Sequence, residues 1–283
     1  MNILPGEPEA FSLFGKPLYR SPIQPGTENN QQIKYEEALK NYQKDPNNPE
    51  NIIWLGRRTA YLGRYREACA IFSLGIDKYP DNPEFYRHRG HRFLTMRLIE
   101  RATDDFETAA VLMEGMPLMI EPDGMPNALN TPVSSLQGNV WYHLGLAYYL
   151  LGEYEKAVDA YWKGIATWDI NDNFVSMANW LYQSLRLLGR DEEAEKLLEK
   201  AVPGMDLIEN QGYLDLLLMF KKGYNPEETE KPGLSYGLAF WHKINGNKEK
   251  AAQILQDILS KRGWASFNYI AAEAEYKRMG YYP

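Results

Sequence analysis

One spacing recurs along the chain and constrains its fold more than any other feature. A glycine is followed by an aromatic two residues on, an alanine three further and an aromatic four further. It reads Gly63, Tyr65, Ala68, Phe72, and again Gly152, Tyr154, Ala157, Tyr161. A degenerate copy, Arg97, Ile99, Ala102, Phe106, stands 34 residues after the first. Looser copies follow as Gly189, Ala194, Leu198, Ala201 and as Gly246, Ala251, Leu255, Ile258. Ahead of each copy lies a second amphipathic stretch, such as "IIWLGRRTAYLG" or "VWYHLGLAYYLLG". Each unit therefore reads as helix A, a tight turn, then helix B. Gly56, Gly90 and Gly145 on helix A and Ala68, Ala102 and Ala157 on helix B let the pair approach closely. One such unit cannot bury its own apolar face, so the units must stack.

The pattern resembles the tetratricopeptide-repeat family over about residues 49–262. The likeness is most specific in the first and third units, where Leu55-Gly56, Trp141, Leu144-Gly145 and Tyr148 fill the family's positions. It implies an all-α fold: a right-handed α-solenoid of helix-turn-helix repeats with terminal capping helices. The expected organisation is an extended Pro/Gly-rich segment at 1–29 and a single solenoid over 30–283. Within it fall a leading helix at 30–46 and repeats at about 49–82, 83–114, 138–171, 175–205 and 232–262. An insert at 115–137, an extra helix at 207–222 and a closing helix at 264–280 complete the reading. In the closing helix Phe267, Ile270, Ala271 and Ala274 are expected to face inward, with Lys277 and Arg278 near its C-terminal end, where the dipole favours cations. The insert carries Met116, Leu118, Met119 and Ile120 and is expected to pack.

Composition narrows the function. The 283 residues carry a net charge of −7, which disfavours general nucleic-acid binding. No apolar run approaches the roughly 18 residues a membrane helix needs. Cys69 is the single cysteine, so no intrachain disulfide and no cysteine-based zinc site forms; it reads as a small buried hydrophobe. The expected compartment is the cytoplasm, or a bacterial periplasm or the exterior if a leader was removed.

Against that acidic balance, "RHRGHR" at 87–92 packs three arginines and two of the four histidines into one helix A. In the resembled family, set helix-A positions line a concave binding groove. Transferred residue by residue, they hold Trp54, Arg57 and Tyr61, then Arg87, His88 and His91. The third and fourth repeats supply Tyr142, His143 and Tyr149, then Asn179, Trp180, Gln183 and Arg186. Arginine forks match carboxylates and phosphates, and Trp, Tyr and Arg are the usual hot-spot residues. Arg89 falls where the family buries a leucine, so it either snorkels or pairs with Asp104 or Asp105. The competing readings are a solvated or ion-paired face, and a groove filled by the chain's own insert or by its acidic "GEPEAF".

Other motifs carry less. His88, His91 and His143 as a metal triad are opposed by the arginines around them. Met113, Met116 and Met119 read as apolar filler. The carboxylate clamp of chaperone-tail binders is not matched, because its positions hold Ile53, Arg57, His88, Asn139 and His143. No Walker loop, nucleophile elbow or dinucleotide fingerprint is found. The reading is a non-enzymatic interaction scaffold, without cofactor or metal, that binds a protein or peptide partner, in particular an acidic one. Histidine involvement implies tighter binding below about pH 6.5. The alternatives are a self-associating structural subunit and, less favoured, an enzyme with a pocket under the insert.

Overall fold

The computed structural model describes residues 6–20, 27–223 and 235–282. It forms two compact units, residues 1–115 and 116–283, each described by itself below. Expectations for residues 1–5, 21–26 and 224–234 lie outside the described residues.

Unit 1 begins with a short antiparallel hairpin, β1 (Ala10–Phe11) and β2 (Pro17–Leu18). Helix α1 (Thr27–Lys44) follows, then the pairs α2 (Pro49–Tyr61) with α3 (Tyr65–Lys78) and α4 (Pro83–Thr95) with α5 (Ile99–Leu112). Both A helices start alike. Asn48 and Asn82 accept from the backbone N–H two residues on, and a proline opens the first turn. An Asn cap of this kind contributes about 1 kcal/mol. Both turns need a left-handed residue. Gly63 supplies it at φ 75°, and Arg97, the degenerate copy, takes the same conformation at φ 63°. The repeat's backbone thus outlasts its sequence, with Arg97 Nη1 anchored on the Thr95 carbonyl at 2.5 Å.

The small helix-A residues act as the spacing requires. A Cβ on Gly56 would stand 2.4 Å from the Phe72 ring, and one on Gly90 2.9 Å from Phe106. Phe72, Phe85 and Phe106 are buried between the helices, beside Ile52, Ile53 and Ala68. Cys69 is buried as a small hydrophobe, and burial pushes its thiol up to about 12.

The segment "GEPEAF" has a defined place in this unit. The Glu9 carboxylate accepts from the Arg66 backbone N–H at 3.1 Å, and Glu7 pairs with the Arg66 guanidinium at 2.7 Å. Helix α3 opens on Arg64, which makes no side-chain cap. Glu9 supplies the missing anion at the positive end of the helix, so these acids hold a helix terminus.

Unit 2 holds the pairs α6 (Leu136–Leu151) with α7 (Tyr154–Ile165) and α8 (Asn171–Leu187) with α9 (Asp191–Glu199). Next come α10 (Gln211–Lys222), the pair α11 (Ser235–Ile244) with α12 (Lys248–Ser260), and α13 (Phe267–Arg278). A Cβ on Gly145 would meet Tyr161 at 2.6 Å, and Gly152 closes α6 at φ 82°. Helix α10, the extra helix of the sequence, packs on both α8 and α9.

The insert is ordered by polar and backbone contacts. Residues 119–121 run antiparallel to 134–136, and Gln137 binds the Met119 N–H and the Pro117 carbonyl. Its apolar side chains depart from the expectation of packing: Met116, Leu118 and Ile120 stand exposed. Hydrogen bonds to Gln137 and to the paired segment hold the loop without burying them.

Candidate functional site

The sequence-predicted groove residues fall into two environments. In unit 1 they come from α2 and α4, which pack side by side. Trp54 is half-buried; its indole N–H donates to Glu50 at 2.7 Å. The Arg57 guanidinium lies 4.2 Å from the Trp54 ring centroid and that of Arg58 4.7 Å. Arg58 also lies 5.7 Å from the Tyr61 ring. Burial holds the Arg58 pKa below its ordinary value, with Tyr61 acting against that shift and Arg57 reinforcing it. Two guanidinium groups over one indole ring set cationic charge beside a flat apolar surface.

The α4 side is more enclosed. Arg57, Arg87 and His88 are buried, and His91 is half-buried. Arg87 Nη1 lies 3.0 Å from His88 Nδ1 and 3.5 Å from His91 Nδ1. An arginine can only donate, so both ring nitrogens accept and the proton of each neutral imidazole sits on Nε2. His88 also stacks on Phe72 at 5.5 Å. Burial lowers the Arg92 pKa, with Tyr65 and Tyr61 opposing it and Arg87 adding to it. Arg89 takes the partner the sequence offered: its fork meets Asp105 at 2.7 and 2.8 Å and its Nη1 reaches Ser73 at 2.9 Å. It therefore belongs to the α4–α5 core.

Sequence reasoning missed a cleft beside this face. Between α1 and α2 lies a cavity of about 250 Å³ lined by Lys34, Glu37, Asn41, Asn51, Trp54 and Arg58. Arg58 is outside the family's groove positions, and its only signal was the Arg57-Arg58 doublet after an exposed-face tryptophan.

In unit 2 the same helix-A positions are covered by the chain itself. Trp180 is 1% exposed and Gln183 0%. The Trp180 indole donates to the Tyr142 hydroxyl at 3.0 Å, which is hydrogen-bonded to the Tyr213 hydroxyl of α10 at 2.7 Å. The Tyr149 hydroxyl donates to Gln183 at 3.3 Å and is hydrogen-bonded to the Tyr236 hydroxyl of α11 at 2.8 Å. Burial raises the pKa of Tyr142 and Tyr149 well above the usual phenol range. His143 holds the Asn139 carbonyl at 2.6 Å through Nδ1 and lies edge-on to Phe267 of α13. Asn179 is buried, and Arg186 pairs with Asp191 at 2.7 Å.

Helix α13 is fixed over this face by charge. Glu275, 2% exposed, meets Lys243 of α11 at 2.7 Å and Arg278 at 2.9 Å. Arg278 also donates to the Tyr149 and Leu150 carbonyls at 3.0 Å each. Expected to serve the C-terminal end of its own helix, it caps that of α6. Ile270, Ala271 and Ala274 are buried as expected.

The sequence of residues 138–167, which covers most of α6 and all of α7, matches the tetratricopeptide-repeat family model. Residues 138–167 are a tetratricopeptide repeat, and the chain has a tetratricopeptide-repeat-like fold. Among solved structures, it is similar to PilF of Pseudomonas aeruginosa with a TM-score of 0.51 at 14% identity, over 88% of this chain and 91% of that one. It is also similar to TTC0263, a thermophilic tetratricopeptide-repeat protein of Thermus thermophilus (TM-score 0.49, 16% identity, 68% of this chain and 93% of that one). A third is YrrB, described as a tetratricopeptide-repeat protein with an unusual peptide-binding site (TM-score 0.48, 15% identity, 86% and 99%). No curated protein matches the chain in sequence. Tetratricopeptide-repeat proteins typically mediate protein–protein interaction and are generally non-enzymatic scaffolds. Among the described residues, no helix is long and apolar enough to cross a membrane.

Proposed function

We propose that unit 1 binds an acidic peptide segment of a partner protein, across α2 and into the α1–α2 cleft. The observation that carries this reading is the half-buried Trp54 ring, which lines that cleft together with Arg58 and has the Arg57 and Arg58 guanidinium groups 4.2 and 4.7 Å from its centroid. Lys34 and Arg58 offer charge, Asn41 and Asn51 line the same space, and Trp54 with Tyr61 gives rigid aromatic area. Trp, Tyr and Arg truncations are the ones that cost most at interfaces. A cationic face on a chain of net charge −7 also focuses field onto an acidic ligand.

The histidines enter differently from the sequence expectation. His88 and His91 already accept from Arg87 through Nδ1. Recognition in this reading therefore rests on the arginines, and salt tests it more directly than pH.

The test is selection from a random peptide library against the full chain, followed by calorimetric titration of the enriched acidic peptides. Affinity is expected to fall steeply between about 50 and 500 mM NaCl and to be lost in Arg57→Ala/Arg58→Ala. Selection that enriches no acidic sequences, or acidic peptides that bind this variant unchanged, would defeat the reading.

A further inference from the structure

Exposed apolar side chains of unit 2 gather in two segments of its sequence. Of the fourteen large hydrophobic side chains exposed among the described residues, seven lie in segments 116–129 and 202–208. Single exposed apolar residues are ordinary, whereas a cluster marks an interaction surface. The two segments are tied together and built to stay in place. Asn127 donates to the Glu209 carboxylate at 2.6 Å, and Asn171 to the Asp206 carbonyl at 3.0 Å. The Asp172 carboxylate takes the backbone N–H groups of Ile208, Glu209 and Asn210, each at 2.9 Å.

Within this surface lies an open strand edge. The Glu121 N–H donates to the Ser134 carbonyl at 3.0 Å, and the Leu136 N–H to the Met119 carbonyl at 2.8 Å. Ile120 therefore faces Ser135 as the non-hydrogen-bonded pair, and its own N–H and C=O point the other way. Among the described residues those two groups have no hydrogen-bond partner. The side chains alternate as in a half-buried strand: Leu118 and Ile120 are 42% and 46% exposed, while Glu121 is 7% exposed. Such an edge is a template for an added strand, with backbone groups for affinity and alternate side chains for selectivity.

Charge selects the occupant. Residues 116–140 and 202–211 contain no lysine or arginine, and their exposed charges are Asp206 and Glu209. A second copy of the chain would set this acidic surface against itself. We infer that the 118–121 edge takes an extended, basic and apolar segment of a partner protein as an additional β-strand. Its ligand is opposite in charge to the one proposed for the arginine face of unit 1.

The probe is the heptapeptide Lys-Val-Lys-Ile-Lys-Val-Lys, titrated into the full chain while amide exchange is followed by NMR. In the free protein the Ile120 amide is expected to exchange fast and the Glu121 and Leu136 amides slowly. With peptide, Ile120 becomes protected. Replacing the peptide's central isoleucine with proline, or its lysines with glutamates, is expected to weaken binding at least about tenfold, one lost interaction's worth. On the protein, Ile120→Pro removes the outward N–H. Leu118→Ser/Ile120→Ser keeps every amide and removes the apolar pair, so weaker binding in either variant of unchanged circular dichroism supports the proposal. An Ile120 amide that stays unprotected at the highest soluble peptide concentration would overturn it. So would equal binding of the proline peptide, or self-association of the free protein that Leu118→Ser/Ile120→Ser abolishes.

Discussion

In unit 1 the helix-A positions of the repeat carry Trp54, Arg57, Tyr61, Arg87, His88 and His91. In unit 2 the same positions carry Tyr142, His143, Tyr149, Asn179, Trp180 and Gln183. In the first set Trp54 and Tyr61 stay half-buried, with guanidinium groups on their rings. The second set is roofed by α10, α11 and α13, tied to the first two through hydroxyl pairs and to α13 through Arg278. The difference teaches that a repeat register decides which face a residue is on. Whether that face meets water depends on elements far away in sequence. Trp54 and Trp180 occupy equivalent helix-A positions, yet one is half-buried and the other is a core residue.

The largest expected effect separates the two tryptophans. Trp180→Ala removes a fully buried ring and the donor to Tyr142, and should lower unfolding stability by about 3–5 kcal/mol, read from the urea midpoint. Trp54→Ala should leave stability within about 1 kcal/mol, yet weaken an acidic peptide by about 2 kcal/mol, some thirtyfold. Equal stability losses in the two variants would break the comparison.

Next come the glycine contacts, where the units should behave alike. A methyl group on Gly56 or Gly145 has no room against Phe72 or Tyr161. Gly56→Ala and Gly145→Ala should each cost about 1–3 kcal/mol in thermal unfolding. A neutral Gly145→Ala would mean that α6 and α7 pack less tightly than α2 and α3.

A smaller effect concerns alkaline pH. Tyr142, Tyr149 and Tyr161 have phenol pKa values raised by burial. In the unfolded chain they ionise near pH 10, so their contribution is full below that pH and is lost as pH rises above it. Absorbance at tyrosinate wavelengths should therefore rise in two stages, the later one coincident with loss of helix. Tyr149→Phe should diminish the later stage. The smallest effect is at Cys69: its thiol, pushed up to about 12 by burial, should ignore a disulfide reagent at about pH 8 until the protein unfolds.

Local rules made much of this legible in the sequence. The glycine–aromatic–alanine spacing located both helices of each pair, because close approach demands a small residue opposite a large ring. Even Arg97 was readable as a turn, since the period held where the glycine did not. Asp105 could be named for Arg89 because the partner lies one helix away. The cover over unit 2 was not readable. Tyr142 meets Tyr213 and Tyr149 meets Tyr236 across 71 and 87 residues, and nothing periodic links them. The role of Glu9 was hidden for a similar reason: α3 lacks a cap of its own at Arg64, but no local rule says which distant acid supplies one. The exposed edge at Leu118 and Ile120 escaped because four apolar residues in five suggested burial, while the polar Gln137 and the paired backbone hold that loop.

Hydrogen exchange of the full chain, with and without a selected acidic peptide, tests the central contrast most directly. New protection confined to α1, α2 and α4, with α6 and α8 unchanged, is the expected result. Protection appearing on α6 and α8 while α2 exchanges as before would contradict it, and would mean that the roof over unit 2 opens to bind.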